Sequence, residues 1–387
     1  MAASLAERTL ARPTFDAAFE APAFVRAMLA FESALARAQA EEGLIGQDAA
    51  RAIAAACHAM RVDTERLVEE GKRSASLAVP LVRQLREEVA RGSREHGPHV
   101  HLGATSQDVL DTATVLCLKP CLEEADRCLE GAVRSLAMRA REHRATPMLG
   151  RTLMQPAMPI TAGLKIARWA LALAEDRERL AEAQSVGLAL QLGGAVGALE
   201  ALGPRAPAVR HRMALLLGLA DARSWHVHRN AWLDLMGRIA QVVATAGKVA
   251  RDISLLSQPE VGEMLEAPPR DGVGASSAMP HKRNPVGCAH ALAAAVRMPG
   301  LLATVHAAAV PEHERALGGW QAELATVPAI AGVLGSSLDF LDVVSSSLVV
   351  NAERMKANVT AYGEESPAAA LGDAVDEILA DLAPYLT

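Results

Sequence analysis

Apolar residues at Trp232, Met236, Ile239, Val243, Ala246, Ala250 and Ile253 step by four and three, and Pro259 stops the run. A seam this regular places all seven side chains on one face of a long helix. That face must close on other helices, within the chain or on further copies of it. Composition agrees with the seam: 51% of the 387 residues are hydrophobic but only 3% are aromatic. Alanine and leucine supply the apolar mass, which suits closely packed helices more than β-sandwiches. No convincing alternating strand pattern and no internal repeat is evident. The expected fold class is all-α.

The remaining segments fit that frame. After an irregular lead-in with Pro13 and Pro22, Phe24, Met28, Phe31, Leu35 and Ala38 mark an amphipathic helix that ends at Gly43. Asp48–Met60, Asp63–Gly71 and Pro80–Arg91 read as helices, and the turn from Gly97 to Gly103 closes an N-terminal domain, 1–103. Thr105 or Ser106 then caps an apolar helix, Val109–Leu118, with Asp108 in its first turn. A charged helix spans about Leu122–His143, Gly150–Pro159 reads as a loop, and a helix runs from about Ile160 to Ala183. Gln191–Leu199 is glycine-rich but lacks the strand–turn–helix setting of a nucleotide fingerprint, so close backbone packing is at least as good a reading. Further helices are expected at Cys288–Val296, punctuated by Pro299, and at about Gln321–Leu341, Asn351–Asn358 and Ala368–Leu382. The central bundle is thus 104–348, and 349–387 forms a short C-terminal helical segment.

Several functional classes lose support. The net charge of −6 comes from residues of both signs spread along the chain, so no basic stripe for nucleic acid exists. The longest uncharged stretch, Ala183–Leu199, is broken by glycines and Gln191 and is no membrane span, and the first residues carry no apolar signal segment. The expectation is a soluble, cytoplasmic protein. Five cysteines, Cys57, Cys117, Cys121, Cys128 and Cys288, form no CxxC pair, and small buried hydrophobes on helix faces account for them better than metal ligation.

One stretch departs from the alanine-rich background. Gly272–Pro285 contains Gly274, Ser276, Ser277, Met279, Pro280, His281, Lys282, Arg283 and Asn284, and glycine and proline bracket it between helices. It reads as a substrate loop more than a connection. Serine is a poor base unless its oxyanion is stabilised, and Lys282 with Arg283 can supply that field. No GxSxG elbow is present, so a hydrolase triad is poorly supported. A loop with Ser, Lys and Asn suits proton transfer next to a carboxylate, with the cations stabilising an enolate-like intermediate and closure excluding water. Glu312-His313-Glu314-Arg315 reads either as a solvated charge run or as an ionised cluster at a helix end.

Gly274–Pro285 closely resembles the signature loop of the fumarase/aspartase superfamily, usually written GSSxMPxKxNP. His101–Asp108 and Arg151–Pro159 are similar to the superfamily's first and second segments, in the right order. Within it, Met28–Glu32, Gly103–Asp108, Gln191–Ala195 and Glu312–Trp320 are similar to bacterial 3-carboxy-cis,cis-muconate cycloisomerases. The resemblance covers roughly residues 10–360. It implies a three-domain all-helical fold with a long central bundle, here with a shortened C-terminal domain, and a homotetramer whose active sites each draw on three subunits. Ser276 maps to the catalytic base, with Ser277 the neighbouring possibility. Lys282 and Asn284 map to carboxylate-binding residues, and Thr105 and Ser106 to a second carboxylate site with His101 beside it. Gln155 matches the second segment's glutamine, and Arg315 is a carboxylate ligand peculiar to the cycloisomerases. The implied reaction is cofactor-free lactonisation of a di- or tricarboxylate, with no metal involved.

Two departures accompany the resemblance. Leu153 stands where adenylosuccinate lyases carry a histidine acid and cycloisomerases often a tryptophan, and Pro156 stands where the latter often have histidine. Beyond Asn351 the chain is shorter than relatives that end in a full helical domain. The alternatives are a β-elimination lyase acting on another succinyl-type substrate and a catalytically silent helical oligomer. The intact Ser276, Lys282 and Asn284 set argues against the silent oligomer.

Overall fold

The computed structural model describes residues 7, 9, 10, 12–267, 273–276, 279, 282–363 and 370–386. Five long helices make the central bundle: α6 (Ser106–Glu142), α7 (Ala162–Gly187), α9 (Asn230–Leu256), α10 (Val286–Ala308) and α11 (Gly319–Ser347). They alternate in direction, so each connection lies at one of two ends. The seam read from the sequence lies on α9: Trp232, Met236, Ile239, Val243, Ala246, Ala250 and Ile253 are all buried in one continuous core. Close packing follows from small residues, as where Gly247 lies so near α10 that an added Cβ would sit 2.6 Å from Ala295.

A second core joins α2 (Ala21–Glu41), α3 (Gln47–Ala59), α5 (Ala78–Gly92), the first turns of α6 and α8 (Ala206–Leu217). The short helix α4 (Thr64–Ser74) packs at its margin, while another, α1 (Pro13–Phe19), packs on α6 and α11 and buries Phe15 in the bundle core. α12 (Ala352–Ala361) and α13 (Ala370–Asp381) sit at the opposite end of the bundle, against the segment after α6 and against α7.

Four local expectations change. The lead-in expected to be irregular holds α1 and the start of α2, because Pro13 and Pro22 stand in the first turns of those helices, where a missing N–H costs nothing. The helices expected at Val109–Leu118 and Leu122–His143 are one 37-residue helix through Pro120, because packing on both faces outweighs one missing N–H. Likewise Val286–Ala308 passes through Pro299 without a break. The stretch expected as a loop, Gly150–Pro159, is instead most of an antiparallel hairpin, β1 (Pro147–Thr152) with β2 (Gln155–Thr161), bulged between Leu149 and Arg151. A second small pair, β3 (Met264–Glu266) with β4 (Leu348–Val350), ties the exits of α9 and α11 together.

By length and composition α10 and α11 are apolar enough to cross a membrane, but they differ in setting. The apolar window of α11 is 67% buried inside the bundle, and that of α10 is 22% buried.

Candidate active site

The residues singled out in the sequence fall into three groups, at two ends of the bundle. At the lower end, where α6 and α11 begin, Thr105 is the N-cap of α6, as its position before an apolar run suggested. Its backbone N–H donates to the Asp108 carboxylate at 2.9 Å. Asp108 is fully buried and is the hub of this end. It also accepts from the N–H groups of Gly193 (2.8 Å) and Gly194 (2.9 Å), from Gln191 Nε2 (3.2 Å) and from His226 Nε2 (2.8 Å). The glycine-rich stretch is therefore a backbone clamp and not a phosphate cradle. A Cβ at Gly193 would fall 2.3 Å from Ser224 Oγ, so no larger residue fits.

Arg315 reaches this clamp from the turn before α11. Its Nη1 donates to Thr105 Oγ1 at 2.7 Å, and its Nη2 to the carbonyl oxygens of Ala195 (2.9 Å) and Gly194 (3.4 Å). The charge run Glu312–Arg315 is thus neither purely solvated nor an ionised cluster. Glu312 stays exposed and accepts from the Leu317 N–H, which holds its carboxyl below the usual range, while Arg315 turns inward. Ser106, one residue into α6, is half-buried at the same helix start.

His101 precedes this group in a left-handed conformation, φ 62°. Its Nδ1 lies 2.6 Å from Oε1 of Glu32, on α2. Burial pushes its proton off, but Glu32 and the more distant Asp108 outweigh that and hold the imidazole above its ordinary pKa. Beneath lies a fully buried charge network. Arg229 donates to Glu323 through Nε at 3.0 Å and to Asp111 through Nη1 at 2.9 Å, stacks 4.6 Å over the Trp225 ring, and shares Asp111 with Trp320 Nε1 at 2.8 Å.

The upper end carries the other two groups. The base of the signature loop is closed by the Asn284 N–H donating to the Gly274 carbonyl at 2.8 Å and by a bridge between Ala275 and Arg283. Gly274 has φ +73°, and a Cβ there would lie 2.4 Å from the Asn284 oxygen, so the closure requires glycine. Ser276 Oγ accepts from the Met279 N–H at 3.1 Å, and Lys282 and Asn284 are exposed. Ser277 lies outside the described residues. Glu266 caps the helix that follows, accepting from the N–H groups of Gly287 (2.8 Å) and Cys288 (2.9 Å). Between loop and cap lies a cavity of about 140 Å³ lined by Ser257, Glu266, Arg283 and Asn284 among others.

In the hairpin, Arg151 makes a two-pronged bond to the buried Glu263, 2.8 Å on each prong. Gln155 is exposed at the hairpin tip, paired across the turn with Thr152. The turn residues Leu153 and Met154 both have positive φ, 49° and 65°, and are 96% and 68% exposed. That turn geometry is usually taken by Asn-Gly, because side chains crowd the backbone there.

Thr105 and Arg315 are therefore brought together, with His101 near by. Ser276, Lys282 and Asn284 are not brought to them: α10 alone, at 1.5 Å per residue, separates its two ends by about 35 Å. Sequence reasoning missed Glu32, Arg229, Glu323 and the hub role of Asp108. An acidic residue at a core-facing position of an amphipathic helix, as at Glu32, is the signal that would have found one of them.

The all-α bundle thus bears a cationic, hydroxyl-rich cluster around Thr105 and Arg315 at one end and a Ser/Lys/Asn loop at the other, the frame of a helical lyase-type enzyme. The comparisons with known proteins agree. A family model described as "Lyase" matches residues 7–300. The 3-carboxy-cis,cis-muconate cycloisomerase of Bradyrhizobium diazoefficiens is 44% identical over 86% of this chain and 74% of its own. The nitrosuccinate lyase of Streptomyces davaonensis is 38% identical over 90% of this chain and 75% of its own. Among solved structures, the 3-carboxy-cis,cis-muconate lactonizing enzyme of Pseudomonas putida superposes with a TM-score of 0.86 at 38% identity, covering 99% of this chain and 88% of that one. The chain belongs to the fumarase/aspartase superfamily of lyases.

Proposed function

We propose that this enzyme is a cycloisomerase that lactonises 3-carboxy-cis,cis-muconate. The observation that carries the reading is the 44% identity to a cycloisomerase over 86% of the chain, in a sequence that bears the loop Gly274–Pro285 and places Arg315 against Thr105. In the reaction one substrate carboxylate oxygen bonds to an alkene carbon. The π electrons move onto the carbon next to a second carboxylate, and that carbon takes up a proton. Ser276 donates this proton and removes it in the reverse direction, with Ser277 the alternative carrier. Lys282 and Asn284 hold the carboxylate on which charge develops, in a field that also stabilises the serine oxyanion. Thr105, Ser106 and Arg315 hold another carboxylate, with His101 beside them, and Gln155 contacts substrate from the hairpin. A carboxylate leaves unaided in the reverse reaction, so Leu153 costs this chemistry nothing. No cofactor or metal enters the scheme.

The same reading makes the enzyme a homotetramer with shared sites. Two features support it. The first is the separation of Ser276 from Arg315 along α10. The second is the outward face of α10, where Ala289, Ala293, Val296, Gly300, Ala303 and Ala307 recur with steps of four and three, and Val296 is 77% exposed. A long apolar face of small residues suits close helix packing against other copies. The domain division at 103 and 348 belongs to this proposal as well; the first boundary is supported by the second core, built mostly from residues before 103. So does a cytoplasmic location, with five free thiols suiting a reducing compartment.

Loss of the diene absorbance of 3-carboxy-cis,cis-muconate tests the substrate. The second reading, a β-elimination lyase on a succinyl-type substrate, rests on the 38% identity to nitrosuccinate lyase. It gains if nitrosuccinate is consumed and the carboxymuconate is not.

A further inference from the structure

We propose that Glu32 is a positioning residue for the site: it fixes His101 through Nδ1 as a charged imidazolium and leaves Nε2 as the donor for a substrate carboxylate beside Thr105. The inference deepens the functional reading above and rests on its placing of His101 and Thr105. Glu32 and Gln39 stand seven residues apart on α2, two turns along one face, and are buried to 1% and 0% exposure. Both are polar groups in a core-facing stripe, and both are directed at the same turn. Glu32 takes His101 Nδ1 at 2.6 Å, while Gln39 Nε2 donates to the Leu102 carbonyl at 2.6 Å. From α5, Arg86 Nη2 donates to the Val100 carbonyl at 3.2 Å. Three side chains on two helices thus hold one turn, which explains how a histidine persists at φ 62°. Strain of this kind survives where the surroundings over-determine it, and it gathers at sites of function.

The electrostatics assign the charge. A carboxylate as deeply buried as Glu32 needs a cation, since an isolated charge there is costly. Its hydrogen-bond partner is His101, and its other oxygen, Oε2, bonds to nothing among the described residues. The charged groups facing the imidazole are Glu32 on α2 and Asp108 on α6, which favour the proton, and Arg86 on α5, which with burial opposes it. Cys57 on α3 faces Glu32 from behind and stays a thiol, because burial and Glu32 push its pKa far up. With Nδ1 engaged, Nε2 is the nitrogen open to a ligand, on a side chain that remains 14% exposed. A cationic N–H there makes a charge-assisted bond to a carboxylate, whereas a neutral ring with Nδ1 protonated would present a lone pair.

Glu32→Gln keeps the shape and an acceptor for Nδ1–H but removes the charge. In the full-length oligomer with histidine labelled at Cε1, and the His101 resonance assigned from its loss in His101→Gln, the wild type is expected to titrate above the ordinary value of about 6.5. Glu32→Gln is expected to lower that midpoint by about one pH unit or more, and to abolish the shift that succinate, a plain dicarboxylate probe, causes in this resonance at pH 7.5. With carboxymuconate, KM is expected to rise about tenfold at pH 7.5 and to recover as the pH falls, which loss of packing alone would not produce. An unchanged midpoint in Glu32→Gln, or a wild-type midpoint at or below the ordinary value, overturns the proposal. The wild-type titration decides even if the variant does not fold. It needs no turnover, so a failure of the carboxymuconate assay beside a collapsing midpoint refutes the substrate and leaves the Glu32–His101 pair standing.

Discussion

Asp108→Asn is the substitution whose cost the structure lets one work out. The carboxylate is fully buried and divides five donors between its oxygens. Oδ2 takes the N–H groups of Thr105 and Gly194, and Oδ1 takes those of Gly193, Gln191 Nε2 and His226 Nε2. An asparagine amide replaces one oxygen by an NH2 group, which accepts nothing. Whichever way it turns, at least two buried N–H groups lose their acceptor and meet another donor. At about 1–3 kcal/mol for each orphaned buried group, the loss is about 4 kcal/mol. Unfolding entropy of about 2.1 cal/mol/K per residue gives about 0.8 kcal/mol/K for this chain, so the melting temperature should fall by about 5 °C if the chain unfolds as one unit. The assay is calorimetry of both proteins at the same protein concentration, since oligomer stability depends on it, with hydrogen exchange at Gly193 and Gly194 as the local readout. A drop of less than about 1 °C with unchanged exchange at these amides would refute the hub.

Other substitutions test other parts of the structure. Arg315→Lys keeps the charge but cannot reach Thr105 Oγ1 and the Ala195 carbonyl together, so kcat/KM should fall by about tenfold or more in steady-state assays. Arg151→Met strips the two-pronged partner from the buried Glu263 and should cost about 3–5 kcal/mol in stability, read by denaturant unfolding; a loss below about 1 kcal/mol would mean that Asn358, which also donates to Glu263 at 2.8 Å, suffices. Gly300→Leu meets open space within the chain, so the fold should survive while sedimentation shows smaller assemblies. The Glu32–His101 pair adds a pH effect of defined sign. Because the folded pKa is raised, its stabilisation is complete below the unfolded value of about 6.5 and is lost as pH rises through the folded value. Melting of Glu32→Gln should lack that component.

How much of this was legible in the sequence differs by element. The seam at Trp232–Ile253 gave a bundle helix because seven positions agree on one period, and α9 matches it within a few residues. Within the hairpin, Gly150–Pro159 reads locally as a loop because its prolines and Gly150 signal breaks. Its pairing comes from contacts across the turn and from the Arg151–Glu263 bond 112 residues apart, which no local window contains. The helix breaks expected at Pro120 and Pro299 were overridden by packing on both sides. At the site, Thr105 was visible because N-caps are local chemistry. Arg315 needed a family resemblance, since locally it sits in an ordinary charge run and finds Thr105 only through a contact 210 residues away. Glu32 was hidden for the same reason: its partner lies 69 residues on.

The central claim is that carboxymuconate is lactonised at sites completed by different copies of the chain. Its most direct test mixes two inactive variants, Ser276→Ala and Arg315→Ala, under conditions that allow subunit exchange, and follows loss of the diene absorbance of 3-carboxy-cis,cis-muconate. If loop and anion site come from different subunits, random mixing completes roughly a quarter of the sites in a closed homo-oligomer. Activity should then return toward that fraction of wild type. Mixed oligomers that form and remain inactive, beside a wild type that turns over, would place both residues in one chain's site and contradict the account.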